Sequence, residues 1–570
     1  MWIVFAAASA ANLNVDPSNP SAYQTIQAAI DAANPSDTIA IQPGTYPDCV
    51  DTSGKDLTLQ GVAGPAMTAI RVESLCPGQG FASSSAIVVE NGETVRITGL
   101  TLYGRGGALW ANGADVTLDS VVLDGSNTLG DPVATGVQAQ SSTLTVRDST
   151  FSNHFGFLGA AISTWNTDVV IRDSQFTANH AEESGGAIDW AADNAVSLDI
   201  ERTTFEANLA DGNDGGAISA LEPAFGPLTA TVRIVDSRFV GNGPGVATGP
   251  LMGGAVRLTR IGDVTVSGNV FERNLAPNGG GALLVVASEE VAVVGNHFCD
   301  NGARFFSGGA AWSLGNRSER WSRNVFLANN GELSNDGAGL AVEDSQGAVV
   351  EQNTFVGNAQ QYCLQCGGAA LYGAETSMLT VRNNLFTHSS GAAAVHFADA
   401  TTDGAASVTF NAFFLNGVDI GGAASFSPTA EGNQIVAPQF VSLQLDDDCG
   451  NDNLMLQPGS PLVDAGAPGT LDPDGSPADI GAYGGGVAPS QSWSIPSPGA
   501  SGTPGRMAGL VSSQSSGTDT PSRSTSSRSE PSQSWSMPSY AISTPPGNAP
   551  ASPSSQSVSS PTNPSGGAHA

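Results

Sequence analysis

The sequence predicts an all-β fold: a single-stranded parallel β-helix (solenoid) with a short N-terminal capping helix and a disordered C-terminal tail. Three observations predict it. Nine phenylalanines, Phe151, Phe176, Phe205, Phe239, Phe271, Phe298, Phe326, Phe355 and Phe386, recur 25 to 34 residues apart in the same short phrase. A fixed period of that size marks stacked repeats. Seven of the nine are followed three residues later by an asparagine, namely Asn179, Asn208, Asn242, Asn274, Asn301, Asn329 and Asn358. A glycine pair then opens the next phrase, as in Gly185-Gly186-Ala187-Ile188, Gly253-Gly254-Ala255-Val256 and Gly280-Gly281-Ala282-Leu283.

Taken in chain order, residues 1–11 have an apolar stretch and an Ala-x-Ala-type end at Ala8-Ser9-Ala10, the outline of a signal peptide without its basic n-region. Residues 12–60 form the cap and first coils. Tyr23 to Ala33 places Ile26, Ala29, Ile30 and Ala33 on one helical face, suited to covering the open hydrophobic end of a solenoid. Strands follow at Thr38–Ile41 and Leu57–Leu59.

Residues 61–440 hold the repeats. Seven and five positions before each Phe the side chains are mostly apolar (Leu144 and Val146, Val169 and Ile171, Leu198 and Ile200), with mixed residues between, which is the two-residue rhythm of a half-buried strand. Two positions before the Phe stands a small polar column, Ser149, Ser174, Thr203, Ser237, Asn269, Asn296, Asn324, Asn353 and Asn384. Such side chains bond backbone at turns, and when stacked coil on coil they bond one another. No helix of ten residues or more is evident to carry a crossover; a solenoid needs none, because each coil returns beneath its own start. Crossovers of parallel strands favour the right-handed form. Residues 441–486 close the β-helix. From 487 to 570 the chain turns to Ser, Pro, Gly, Thr and Ala, with too little apolar surface to fold.

The net charge of −33, with Lys55 the single lysine, disfavours nucleic acid and anionic membranes as partners. No apolar run reaches the 18 residues of a spanning helix. Six cysteines, an even number, suit an oxidising compartment. Cys49 and Cys76 lie about one coil apart, within stacking range. Cys363 and Cys366 form a C-x-x-C in a loop, read as a local disulfide; the alternatives are a redox pair or part of a zinc site, for which Cys299 and Cys449 show no matching spacing.

The Phe-x-x-Asn and Gly-Gly-Ala-Ile phrases between Phe151 and Val395 resemble the repeats of polymorphic outer-membrane proteins, a family of surface adhesins. Thr25-Ile26-Gln27-Ala28-Ala29-Ile30 with Pro43-Gly44-Thr45-Tyr46 resembles the opening of right-handed β-helix proteins of the pectin-lyase-like superfamily. Pro458–Gly466 and Asp479–Gly485 resemble the closing segment of secreted bacterial β-helix proteins. The resemblance implies a right-handed β-helix at the cell surface or outside the cell. It departs from the outer-membrane family at the tail, which has no strands for a translocator barrel.

That superfamily includes polysaccharide lyases and hydrolases. A lyase site needs outward carboxylates on adjacent coils converging on calcium, but the one outward acidic pair, Asp199 and Glu201, lies between Arg172 and Arg233 and reads as a charge ladder. Asn166-Thr167-Asp168 matches the first motif of polygalacturonase-like hydrolases without the rest of it, and the six histidines are scattered. No catalytic set is assigned. Asp472-Pro473-Asp474-Gly475 with Asp479 resembles part of a calcium loop, so a structural calcium held by Asp472, Asp474 and Asp479 is the one cofactor expectation. Trp165, Trp190, Trp312 and Tyr372, on or near the Gly-Gly-Ala strands, either stack on sugar rings or fill coil corners. The leading expectation is an exported, non-catalytic β-helix binding a polysaccharide or another cell-surface ligand. The alternatives are a polysaccharide-degrading enzyme of the lyase or hydrolase type, and a structural spacer.

Overall fold

The computed structural model describes residues 10–484, apart from 75, 77–84, 126–134, 213, 224–225, 246–251, 362–366, 423–425 and 447. Most of the expected leader, the tail, and the Cys363–Cys366 pair therefore lie outside the described residues. The described chain is a parallel β-solenoid. Three long sheets run its length, here named A (fifteen strands, Asn12–Val15 to Ala406–Thr409), B (fifteen, Gly44–Tyr46 to Gln434–Ile435) and C (fourteen, Val50–Asp51 to Val418–Gly422). Each circuit visits C, A and B in turn. In one of them Ile162–Trp165 lies in C, Asp168–Arg172 in A and Gln175–Thr177 in B.

The alternation read from sequence is the packing observed. Leu144, Val146, Val169, Ile171, Leu198 and Ile200 are all fully buried, and their strand neighbours face outward. The nine phenylalanines form one column with Phe413 as a tenth member. Successive rings from Phe151 to Phe386 lie 4.7–4.9 Å apart and within 13° of parallel, and Phe386 to Phe413 is 5.4 Å. That separation is the rung spacing of a parallel sheet, so backbone pairing sets the ring geometry. Burying each ring stabilises the core by about 1.5–3 kcal/mol.

Both polar columns are ladders. Asn301 Nδ2 donates to Phe271 O (2.9 Å) and to Asn329 Oδ1 (3.0 Å), while its own Oδ1 accepts from Asn274 N and Nδ2 (3.0 Å each). The second column repeats this from Asn269 through Asn384 and runs on through Asn411 to Asn433. The ladders follow from the corners. The residue before each ladder position takes left-handed backbone, at φ 53° for Ala178, 52° for Arg273 and 54° for Ala328. This conformation is unfavourable for residues with a Cβ, and the bonded side chain next to it holds the bend.

Helix α1 spans Ile26–Ala32, shorter than the Tyr23–Ala33 window, capped by Thr25 Oγ1 accepting from Ala28 N. It buries Ile26, Ala29 and Ile30 and touches the strands Asn12–Val15, Asp37–Ile41 and Val50–Asp51. No helix among the described residues is long and apolar enough to cross a membrane.

The connection from B to C is the long one, and in mid-molecule it forms two four-stranded side sheets. One contains Phe155–Leu158 and His180–Ser184; the other contains Gly302–Ser307 and Asn330–Asp336. After Gln434–Ile435 the chain leaves the solenoid, and residues 436–484 run back along the outside of sheet B. There Leu454 and Ala482 pack on Val325, Leu327 and Val356, while Leu462 and Ile480 pack on Leu385 and Ala412. A Cys299–Cys449 disulfide (Cα–Cα 6.3 Å) ties this segment down, and a Cys49–Cys76 disulfide (5.7 Å) joins early coils. Cys49 and Cys76, expected one coil apart, are thus bonded, and Cys299 and Cys449, far apart in sequence, pair with each other.

Candidate functional site: a cleft on sheet C

In the sheet C strand Ile188–Ala191 the first and third residues point inward and the second and fourth outward, because successive side chains alternate. Parallel register then stacks the outward residues into two columns. The first runs Trp110, Gln138, Ser163, Asp189, Ser219, Arg257, Leu284, Trp312, Ala341, Tyr372 and His396. The second runs Asn112, Gln140, Trp165, Ala191, Leu221 and Thr259.

From Trp110 to Leu221 this face is an open cleft of about 490 Å³, walled on one side by the side-sheet residues Leu158 and Ser184. Trp165 is 41% exposed and Gln140 is exposed beside it. Trp110, half-buried, donates Nε1–H to Glu90 Oε1 (3.0 Å), which fixes its ring. Asp189 sits on the floor, where burial raises its carboxyl to a pKa of about 6 although the Ser184 hydroxyl (2.7 Å) and Ser219 pull it back. Asp214, on the next coil, forms an ion pair with Arg257. Burial brings the Arg257 guanidinium down to about 10, and its Nε also donates to Thr259 Oγ1 (3.2 Å). Beyond Arg257 the floor closes: Leu284, Trp312 and Ala341 are buried in an apolar cluster outside the sheet, with Met252, Leu314 and Tyr372 against it.

The four aromatics expected at a ligand surface therefore divide. Trp165 lines the cleft. Trp190 takes an inward position, is 1% exposed and donates Nε1–H to Thr167 O (2.9 Å), so it fills the core and cannot stack on a ligand. Trp312 faces outward but is 7% exposed inside the closing cluster. Tyr372 stands half-buried beside His396, ring centroids 5.9 Å apart, its hydroxyl pushed up by burial and by Asp336 and Glu343. Trp110 was missing from the expected set, although Gly106-Gly107-Ala108-Leu109 repeats the glycine phrase immediately before it and marks it as outward.

Asp472, Asp474 and Asp479, the residues of the calcium expectation, each serve a turn. Asp472 accepts from Gln352 Nε2 and Asp479 N (2.9 Å each), Asp479 accepts from Asp464 N (2.8 Å), and Asp474 turns outward to accept from Ser476 N (3.0 Å) and Oγ (2.6 Å). The carboxylates bond turns rather than converge, and no three His, Cys, Asp or Glu side chains among the described residues are grouped to hold a metal ion. On sheet A the Asp199–Glu201 pair meets both arginines, with Arg233 Nη1 2.8 Å from Asp199, Arg172 Nε 3.2 Å from Glu201, and Arg172 paired to Asp199 as well. Those acids are neutralised in place.

Residues 229–413 match the family described as right handed beta helix region, in keeping with the handedness expected from the crossover preference. A comparison with curated proteins found no match. Among solved structures the chain is similar to a PL6 alginate lyase in complex with a trisaccharide, at 12% identity over 79% of this chain and 93% of that one, with a TM-score of 0.37. It is also similar to the A-module of a mannuronan C-5 epimerase from Azotobacter vinelandii (16%, 72% and 93%, TM-score 0.34) and to the pectin methylesterase PemA from Erwinia chrysanthemi (12%, 41% and 80%, TM-score 0.29). At these values the likeness carries neither substrate nor chemistry.

Proposed function

We propose that this chain is an exported β-helix that binds polysaccharide, with the sheet C cleft as its binding site. The observation that supports the reading is a row of side chains suited to sugars on one rigid face. Trp110 and Trp165 offer flat apolar rings, Gln138 and Gln140 offer amides that donate and accept, and Ser163 and Asp189 offer polar groups between them. Rigid aromatics combined with a few placed polar groups are what ligand clefts use. The disulfides Cys49–Cys76 and Cys299–Cys449 support the extracellular or cell-surface part of the reading, and a surface adhesin is the form of it that the repeat phrases suggest.

The test is binding of the full chain to a polysaccharide panel by affinity electrophoresis, followed by Trp165→Ala. Truncating an anchoring Trp costs about 2 kcal/mol, roughly thirtyfold in affinity. An unchanged affinity would remove the cleft from the reading. A second reading, a polysaccharide-degrading enzyme, is favoured by Asp189, whose carboxyl burial raises to a pKa of about 6 on the cleft floor. Release of reducing or unsaturated sugars, abolished by Asp189→Asn, would establish it.

A further inference from the structure

We infer that the cleft takes an uncharged stretch of glycan about four pyranose units long, and not a polyuronate; the inference rests on the cleft being the polysaccharide site. Charge is the first argument. Glu90, Asp189 and Asp214 lie in or beside the cleft, and the base at its end, Arg257, is ion-paired to Asp214 with a second bond to Thr259. A uronate would bring a further negative charge to carboxyls on a chain of net charge −33, with no base among the described residues that line the cleft to meet it. Like-charge juxtaposition of this kind rejects a partner and slows its approach.

The chemistry of the lining agrees. Indole faces pack against the apolar faces of sugar rings, and amides with serine hydroxyls match vicinal hydroxyl groups; neither calls for ligand charge. The length follows from register. Five rungs, from Leu109–Asn112 to Ile218–Leu221, carry the open floor. At about 4.8 Å per rung their four intervals span roughly 19 Å, room for about four pyranose rings. Past Arg257, buried Leu284, Trp312 and Ala341 replace the polar floor, so longer chains gain nothing at that end.

Titration calorimetry with the full chain tests this, using a ladder of neutral gluco- and manno-oligosaccharides against oligogalacturonates and oligomannuronates of equal length, at 20 mM and 500 mM salt. The expected result is a preference of about tenfold or more for a neutral series at low salt, narrowing as salt screens the repulsion. Affinity should rise to the tetrasaccharide and then level off, and Trp165→Ala should lower it about thirtyfold. Uronates bound more tightly than every neutral series, with the same Trp165→Ala loss, would overturn the ligand class while leaving the cleft as the binding site. Uronate binding insensitive to both Trp165→Ala and Gln138→Ala would place binding elsewhere and overturn both readings, as would no binding by any series. Affinity still rising beyond six units would overturn the length.

Discussion

At the scale of single residues, the molecule handles its buried polar groups in two ways. Where they repeat, they satisfy one another: each interior asparagine of the ladder serves the coil before and the coil after. Asn301→Ala would remove the acceptor of Asn274 N, one of the two acceptors of Asn274 Nδ2, and the side-chain donor to Phe271 O. At about 1–3 kcal/mol per orphaned group, a loss of roughly 3–5 kcal/mol is expected in urea unfolding; a loss under 1 kcal/mol would mean that the ladder adds little. Where a polar group does not repeat, burial shifts its titration. Glu319 points into the core between Val291 and Ala348 and accepts from Trp321 Nε1 (2.9 Å) and the Ser313 hydroxyl. Burial raises its pKa above the usual carboxylate range despite those bonds. The native state then binds more protons than the unfolded one, so this group's contribution to stability falls as pH rises from about 4.5 toward the folded value, and is level outside that window. Glu319→Gln keeps the shape and removes the titration. Its melting temperature relative to the parent should climb across that interval, and a constant difference would refute the assignment.

At the scale of elements, the B-to-C connection and the closing segment give a uniform solenoid its distinct faces. The side sheet that holds Phe155–Leu158 and His180–Ser184 raises a wall beside sheet C and turns a flat ladder into a cleft. The closing segment covers sheet B from His297–Cys299 to Leu385–Thr387, where even the outward residues are buried. Its attachment combines apolar packing, the Gln352–Asp472 and Thr354–Ala482 hydrogen bonds, and Cys299–Cys449. That disulfide spans 150 residues of sequence, so chain entropy alone assigns it up to roughly 5 kcal/mol. Cys449→Ser should loosen residues 440–484 first. Amide exchange there and at Val325–Leu327 is expected to accelerate while the inner coils stay protected; uniform acceleration throughout would show that the segment and the solenoid unfold as one.

At the scale of the whole molecule, stability is nearly one-dimensional, because each rung touches mainly the rung above and the rung below. Opening should therefore begin at an end and progress inward. The last rungs, Val418–Gly422 and Gln434–Ile435, have partly exposed strands, whereas Phe271 and Phe298 are fully buried between paired neighbours. Hydrogen exchange should give a gradient of protection, highest around residues 230–360 and falling toward residue 435. A flat profile would contradict nearest-neighbour stacking. The same regularity bears on the proposed binding: a cleft on stacked strands is pre-organised, so a ligand orders little when it arrives.

How much was legible depended on whether a feature repeats. Period and parity are properties of the chain alone, and they specified the coil, the buried columns of Phe and Asn, and the outward aim of Trp165. Parity counted from Gly-Gly-Ala would also have sent Trp190 inward and admitted Trp110. What tertiary structure decided involves pairs that no period links. Asp472 meets Gln352 across 120 residues, Cys299 meets Cys449, and Trp312 is covered although its parity is outward. Repetition is written in the sequence because each rung solves the same packing problem; a fold-back or a lid happens once, and its partners are chosen only when distant surfaces bury each other.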